Sequence, residues 1–327
     1  MGMKPPILTA ATLVATCAGL LPAADSQLLN LVMPDAKVLA GVNVDQAKGT
    51  PFGQYILNQV QSQGPHLQQL TALTGFDPTR DVHEILVASN TAPGSQGGLL
   101  LARGNFNVSQ IQAAVQQQHG GITETYNGVT LLEDPQKANA LAFLDPTLAI
   151  AGDVASVKGA IDRQTVAAPL SAALLVQVNQ WSGQQDAWVL TAVPPSALQP
   201  KVNAPNAANP ALENAFQNVQ QLAGGVKFGA QVVLTGQAQT DTAQNATGLA
   251  GVLQFLINLA QIQAQQNNPP LAAALPSVSV TASGSQVNVS LSVPEPQAEQ
   301  MVQPHAGPAP GMAPAPATTR RPATRRL

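Results

Sequence analysis

The densest run of groups able to do chemistry is Asp77-Pro78-Thr79-Arg80-Asp81-Val82-His83-Glu84, five ionisable side chains in eight residues. The carboxylates of Asp77 and Asp81 with the imidazole of His83 are a donor set that could ligate a divalent metal. Their spacing argues for a structural role instead. Gly75 suits a helix end, Asp77-Pro78 suits a capped turn with proline at its first position, and a strand from Val82 would send His83 and Glu84 to opposite faces. Of the other histidines, His66 lies at a helix break, His119 at a helix end and His305 in the tail. None has a second histidine at ligand spacing. There is no HExxH, nucleophile elbow, Walker loop or dinucleotide fingerprint, so the sequence implies no cofactor and no catalytic residue. Glu133-Asp134 reads as a turn at a strand end.

The most informative apolar feature is a helix from Thr242 to about Gln266. Ala246, Leu249, Leu253, Leu256, Ile257 and Ala260 mark one stripe, and Val252, Phe255, Leu259 and Ile262 mark another. A helix apolar on two faces must be covered twice. The expected cover is the sheet and the connecting helices. The sharper reading makes Val252, Phe255, Leu259 and Ile262 a ligand or partner surface for a lipid-like ligand, a peptide or a second copy. Gln254, Asn258 and Gln261 form a polar edge that argues against a membrane span.

These residues need elements to position them. Val38–Asp45 alternates as a strand, and helical spacing from Pro51 to Thr74 breaks near Gly64-Pro65. Strands are predicted over 82–89 and 98–103, a helix capped by Asn107, short strands over 122–126, 129–133, 140–144 and 148–151, and a helix over 153–163. The second half repeats the order, with strand 187–193, helix 211–222, strands 226–234 and 236–240, the long helix, a hairpin at 278–293 and a helix over 295–302. The pattern predicts an α+β protein of two similar βαββαββα halves, antiparallel sheets with helices on one face of each, and an internal duplication. The boundaries are 1–26 signal peptide, 27–165 first unit, 166–185 connecting helix, 186–302 second unit and 303–327 disordered tail.

The ends point to export. Lys4, an uncharged run from Ile7 to Leu21, then Pro22-Ala23-Ala24-Asp25-Ser26 follow the order of a signal peptide. Small residues at the recognition positions favour cleavage after Ser26 or after Ala24, giving a mature start between residues 25 and 27. Lipidation at Cys17, the single cysteine, is a lesser alternative, because Thr16 departs from the small residue that a lipobox carries there. Removal of Cys17 with the leader excludes disulfide and thiolate chemistry from the mature chain.

Charged residues are 9% of the chain, and 37 glutamines outnumber the 14 Lys/Arg and 17 Asp/Glu together. Between Gln27 and Val302 the body is mildly acidic, which offers no basic patch to nucleic acid. The Pro/Ala-rich tail ends in Arg320, Arg321, Arg325 and Arg326. These could tether the chain to an anionic surface or to its own acidic body.

The stretch LLNLVMPDAKVLAGVNVDQAKGTPFGQYIL, with GFDPTRDVHEILVA, GLLLARGNF and YNGVTLLE, resembles uncharacterised exported bacterial proteins of the acidobacterial type. These are similar in turn to a broader domain of unknown function with the same start strand, helix and FDPxxD segment. The resemblance covers most of 28–165 and implies an envelope protein with a duplicated α+β domain and no established catalytic residues. The combined expectation is a periplasmic or extracellular protein that binds or scaffolds without catalysis, its partner an envelope protein or a second copy. An apolar-ligand carrier and a hydrolase with a dispersed site are the alternatives.

Overall fold

Short β-branched and apolar runs, punctuated by Gly, Asn-Gly and Asp-Pro turns, leave the chain one economical solution: antiparallel strands whose alternate residues are buried. The computed structural model describes residues 24–63, 65–90, 97–119, 122–134, 138–191 and 216–302. In chain order the first half comprises α1 (Ser26–Leu31), β1 (Val38–Asn43), α2 (Val44–Lys48), α3 (Pro51–Gln63), α4 (Pro65–Thr74), α5 (Pro78–Asp81), β2 (Val82–Ser89), β3 (Leu99–Gly104), α6 (Val108–His119), β4 (Ile122–Tyr126), β5 (Val129–Asp134), β6 (Asn139–Asp145), β7 (Leu148–Asp153) and α7 (Val154–Thr165). Then come α8 (Ala172–Gln184), β8 (Ala187–Thr191), β9 (Val219–Lys227), β10 (Gln231–Thr240), α9 (Ala243–Asn267), α10 (Pro269–Ala274), a 3-10 turn (Leu275–Ser277), β11 (Ser279–Ser283), β12 (Gln286–Pro294) and α11 (Glu295–Val302).

The α+β class and the antiparallel pairing agree with the sequence reading, but the halves do not make separate sheets. All twelve strands join one sheet in the order β11-β12-β10-β9-β8-β1-β2-β3-β7-β6-β5-β4. The joint is β1, which pairs with β2 along one edge and with β8 along the other. Each half pairs in the same order: β1-β2-β3-β7-β6 in the first and β8-β9-β10-β12-β11 in the second.

Helices also lie on both faces rather than one. On β7, Ile150 packs into the main core with Val157 and Ile161 of α7, whereas its neighbour Ala149 packs with Ile111 of α6. The main core also takes Leu28 and Leu31 of α1, Val178 and Trp181 of α8, and Leu39, Leu86, Leu101 and Leu190 from the central strands. Following the register Gly236-Gly224-Val189-Ala40-Val87-Leu100 across six strands places α9 on the same face as α6.

Two further expectations fail locally. The helix expected over 211–222 gives way to β9 from Val219, residues 211–215 lying outside the described part. A bulge explains the misreading: Val219 faces Thr240 while Gln221 faces Gln239, so Gln220 is extra and the apolar spacing from Val219 to Leu222 imitates a helical period. The strand expected over 226–234 is broken at Phe228-Gly229-Ala230, where the chain turns from β9 into β10. The β4–β5 hairpin forms as predicted, with Asn127 at φ 47° and Gly128 at φ 82°, the left-handed pair that a two-residue hairpin turn requires.

The joint between halves is tightly packed. Gly41 of β1 stands opposite Trp188 of β8, and a Cβ at Gly41 would fall 2.6 Å from the indole ring. Gly41→Ala is expected to destabilise the fold by about 1–3 kcal/mol in urea unfolding, because the buried Trp188 would have to shift. At the other end of the first half, Asp153 caps α7 by accepting from the Ser156 N–H at 2.9 Å and also accepts from Gly98 N–H at 3.0 Å. Burial raises its pKa, but the bonds from Ser156 and Gly98 together bring it below the ordinary value. A depressed carboxylate contributes stability above its unfolded pKa and loses it as pH falls through the folded value. Asp153→Ala should therefore cost about 1 kcal/mol at pH 7, and the deficit should shrink below about pH 4 in acid titrations of stability.

Candidate partner face and polar clusters

The long helix α9 runs for 25 residues without one charged side chain and starts from a Thr242 cap that accepts from Asn245 N–H at 3.2 Å. Its inner stripe, Ala246, Leu249 and Ala250, packs on Val219, Ala238 and Val287 of the sheet, with Leu253 and Val280 beside them. Its outer stripe is uncovered: Phe255 is 60% exposed, Leu259 43% and Ile262 60%. The expected double cover is therefore absent, and the residues singled out from the sequence stand at the surface, with Val252 half-buried beside them. Val252, Phe255, Leu259 and Ile262 are spaced 3, 4 and 3 apart, which is a coiled-coil seam. Gly248 continues the seam toward the N-terminus, and Gly251 flanks it. A Cβ at either glycine would meet open space.

The same face of the sheet carries a second apolar strip. Val189, Ala40, Val87 and Leu100 stand side by side across β8, β1, β2 and β3, and Val87, Leu100 and Val189 are each exposed by two-fifths. No helix among the described residues is long and apolar enough to cross a membrane.

The polar run at 77–84 is dispersed by the fold. Asp77 caps α5 through Thr79, and Arg80 clasps Asp81 with two bonds of 2.7 Å. That ion pair, chiefly through its hydrogen bonds, lowers the Asp81 pKa and raises that of Arg80. His83 leaves this pair and turns to Asp45, its Nδ1 2.9 Å from the carboxylate and its Nε2 3.0 Å from Asn105 Nδ2. Both ring nitrogens are thus engaged. Among the described residues no three His, Cys, Asp or Glu side chains gather as a metal site.

Glu84 points to the other side, as its place in the strand requires, and enters a cluster that sequence spacing does not reveal. Its carboxylate accepts from Asp25 N–H at 3.1 and 3.3 Å. The Asp25 carboxylate in turn takes Arg103 Nε at 2.8 Å and caps α1 through Gln27 N–H at 2.7 Å. Arg103 also donates to Thr147 Oγ1 at 3.0 Å. Burial raises the Glu84 pKa more than the Asp25 amide and Arg103 lower it, and the neighbouring Asp25 charge adds to the rise. A separate cleft of about 1060 Å³ is lined by Asp35, Asn90, Asp153, Ser156 and Arg163. Arg163 donates through Nε to Leu31 O at 2.8 Å, while its Nη2 is buried without a partner. Two carboxylates share that cleft with the one guanidinium. Cys17 and the tail arginines Arg320, Arg321, Arg325 and Arg326 lie outside the described residues.

No family model and no curated protein matches the chain. Among solved structures it is similar to TP0453 in three crystal forms. Crystal form III aligns with TM-score 0.55 at 10% identity over 85% of this chain and 98% of that one. Form IV gives 0.52 at 10% over 84% and 96%, and form I gives 0.51 at 11% over 85% and 97%. At that identity the likeness is one of fold, and its coverage of 84–85% of this chain extends beyond one half.

Proposed function

We propose that this is an exported protein of the cell envelope that works by binding and scaffolding rather than by catalysis, and that the outer face of α9 docks a second copy of the chain. The observation that carries the reading is the exposed seam of Phe255, Leu259 and Ile262 on a helix with no charge. Two such faces meet without like-charge repulsion, and an isologous contact needs only one kind of surface. Antiparallel pairing about Ile257 would set Val252 against Ile262 and Phe255 against Leu259 of the other copy. The helix rises 1.5 Å per residue, so the shared face is about 30 Å by 10 Å, roughly 300 Å² per copy. That is well below a standard interface, so the contact is a weak, reversible one.

An apolar-ligand carrier would need Phe255, Leu259 and Ile262 to line a closed cavity, and their exposure overturns that form of the alternative. The common order of pairing in the two halves supports their origin by duplication. The tail arginines serve as an electrostatic tether to an anionic surface, a role that salt should weaken.

Analytical ultracentrifugation of the exported chain should show a monomer–dimer equilibrium that Phe255→Gln with Leu259→Gln weakens at least about 100-fold. A wild-type monomer at hundreds of micromolar, or a dimer indifferent to the substitutions, would reject self-docking. A monomer whose α9 face also fails to bind an apolar-surface dye would reject the partner face itself.

A further inference from the structure

The cluster around Glu84 holds a half-buried carboxylate whose partner is the backbone nitrogen of Asp25, at the expected end of the leader. We propose that export cleaves the chain between Ala24 and Asp25, and that the new α-ammonium group of Asp25 forms an ion pair with Glu84 inside the folded protein. The inference rests on the export reading and adds a processing site and its structural purpose.

Three candidate cuts differ in what they leave behind. Cleavage after Ser26 removes Asp25, and with it the cap of α1, the acceptor of Arg103 and the donor to Glu84. Arg103, whose side chain is only 18% exposed, would then lose its carboxylate. Cleavage after Ala23 places the new ammonium on Ala24, whose nitrogen lies 3.0 Å from the uncharged Ser182 Oγ. Glu84 would still face an amide. Cleavage after Ala24 puts a full positive charge where the nitrogen already sits between both oxygens of Glu84, and it keeps the Asp25 carboxylate on Arg103 and Gln27. The result is an alternating row, Glu84 carboxylate, Asp25 ammonium, Asp25 carboxylate and Arg103 guanidinium, in which every charge has an opposite neighbour.

The covalent step is hydrolysis by an export endopeptidase. Water breaks the Ala24–Asp25 C–N bond, its oxygen remains in the Ala24 carboxylate of the released leader, and the nitrogen leaves as the ammonium with no net proton exchanged. Before the cut the hydrogen-bond partner of Glu84 is an uncharged N–H, Arg103 offsets its burial only in part, and burying its charge opposes folding. After the cut the same burial strengthens an ion pair. The precursor is thereby less stable than the product, which suits a chain that must stay unfolded during export.

N-terminal sequencing and intact-mass measurement of the chain recovered after export from cells expressing the full sequence should give Asp25 as the first residue. A first residue at Ala24, Ser26 or Gln27 overturns the inference and leaves export standing, whereas an uncut chain retained in the cytoplasm overturns both. A second measurement compares the chain beginning at Asp25 with its Nα-acetylated form. The free amine should melt several degrees higher near pH 6–7. The charged groups that act on Glu84 are the Asp25 carboxylate and Arg103 of β3. The pair raises the amine's folded pKa above its usual value of about 7.7–8.0, so the gain is fully present below that value and is lost as pH rises through the folded one. Glu84→Gln keeps an acceptor for the nitrogen, folds, and should abolish the difference. Equal melting of the free and acetylated chains with Glu84 in place would overturn the pairing.

Discussion

The pairing of β1 with β8 is the contact on which the rest depends. Without it the first half would end at an open strand edge, a liability that proteins seldom leave bare. With it, Leu39, Leu86, Trp188 and Leu190 share one core with α1, α7 and α8. The pairing also fixes the identity of both faces, because a slip of one residue would expose Leu39 and bury Ala40. Gly41 has no side chain because its partner's indole occupies that space. The buried Asp186 reinforces the same place: it accepts from Lys227 Nζ at 2.7 Å and Phe228 N–H at 2.6 Å, while its carbonyl receives Asn43 N–H at 2.8 Å. One carboxyl residue thus ties together the ends of β1, β8 and β9.

Much of this was legible in the sequence where the signals are local. Asn127-Gly128, Asp145-Pro146 and Ser283-Gly284-Ser285 mark hairpins, and Asp153 and Thr242 announce helix starts, because turn and cap chemistry acts within a few residues. The β1–β8 joint is invisible in the same way that any edge-to-edge pairing is: nothing in VLAGVN or AWVLT names its partner. The bulge at Gln220 hid β9 by resetting the phase of its apolar residues. For the candidate sites, the sequence located the outer stripe of α9 but not its exposure, since periodicity reports that a face is apolar and not what lies against it. The cluster at Glu84 was hidden because its members come from residues 25, 84 and 103, on three separate segments.

The two surfaces and the chain's composition belong together. A body solubilised by glutamine rather than by charge has little long-range field, so association is governed by contact and shape. An uncharged apolar seam on such a body can meet its own copy without repulsion, and the exposed strip Val189-Ala40-Val87-Leu100 lies on the same side of the sheet. The opposite side, covered by α1, α7 and α8, serves stability. The α9 side is packed as well, by α6 and by the inner stripe of α9, so what sets it apart is the apolar surface left uncovered there.

The placement of the aromatic residues gives the molecule a built-in optical reporter. The chain has two tryptophans. Trp181 lies on α8 and Trp188 on β8, both nearly buried in the core that the two halves share. Their emission therefore reports the consolidation of that shared core, to which strands of both halves contribute. Fluorescence on refolding follows that core, whereas backbone circular dichroism follows all twelve strands. The separation of those two signals in time is a direct reading of whether the sheet assembles with its core or before it.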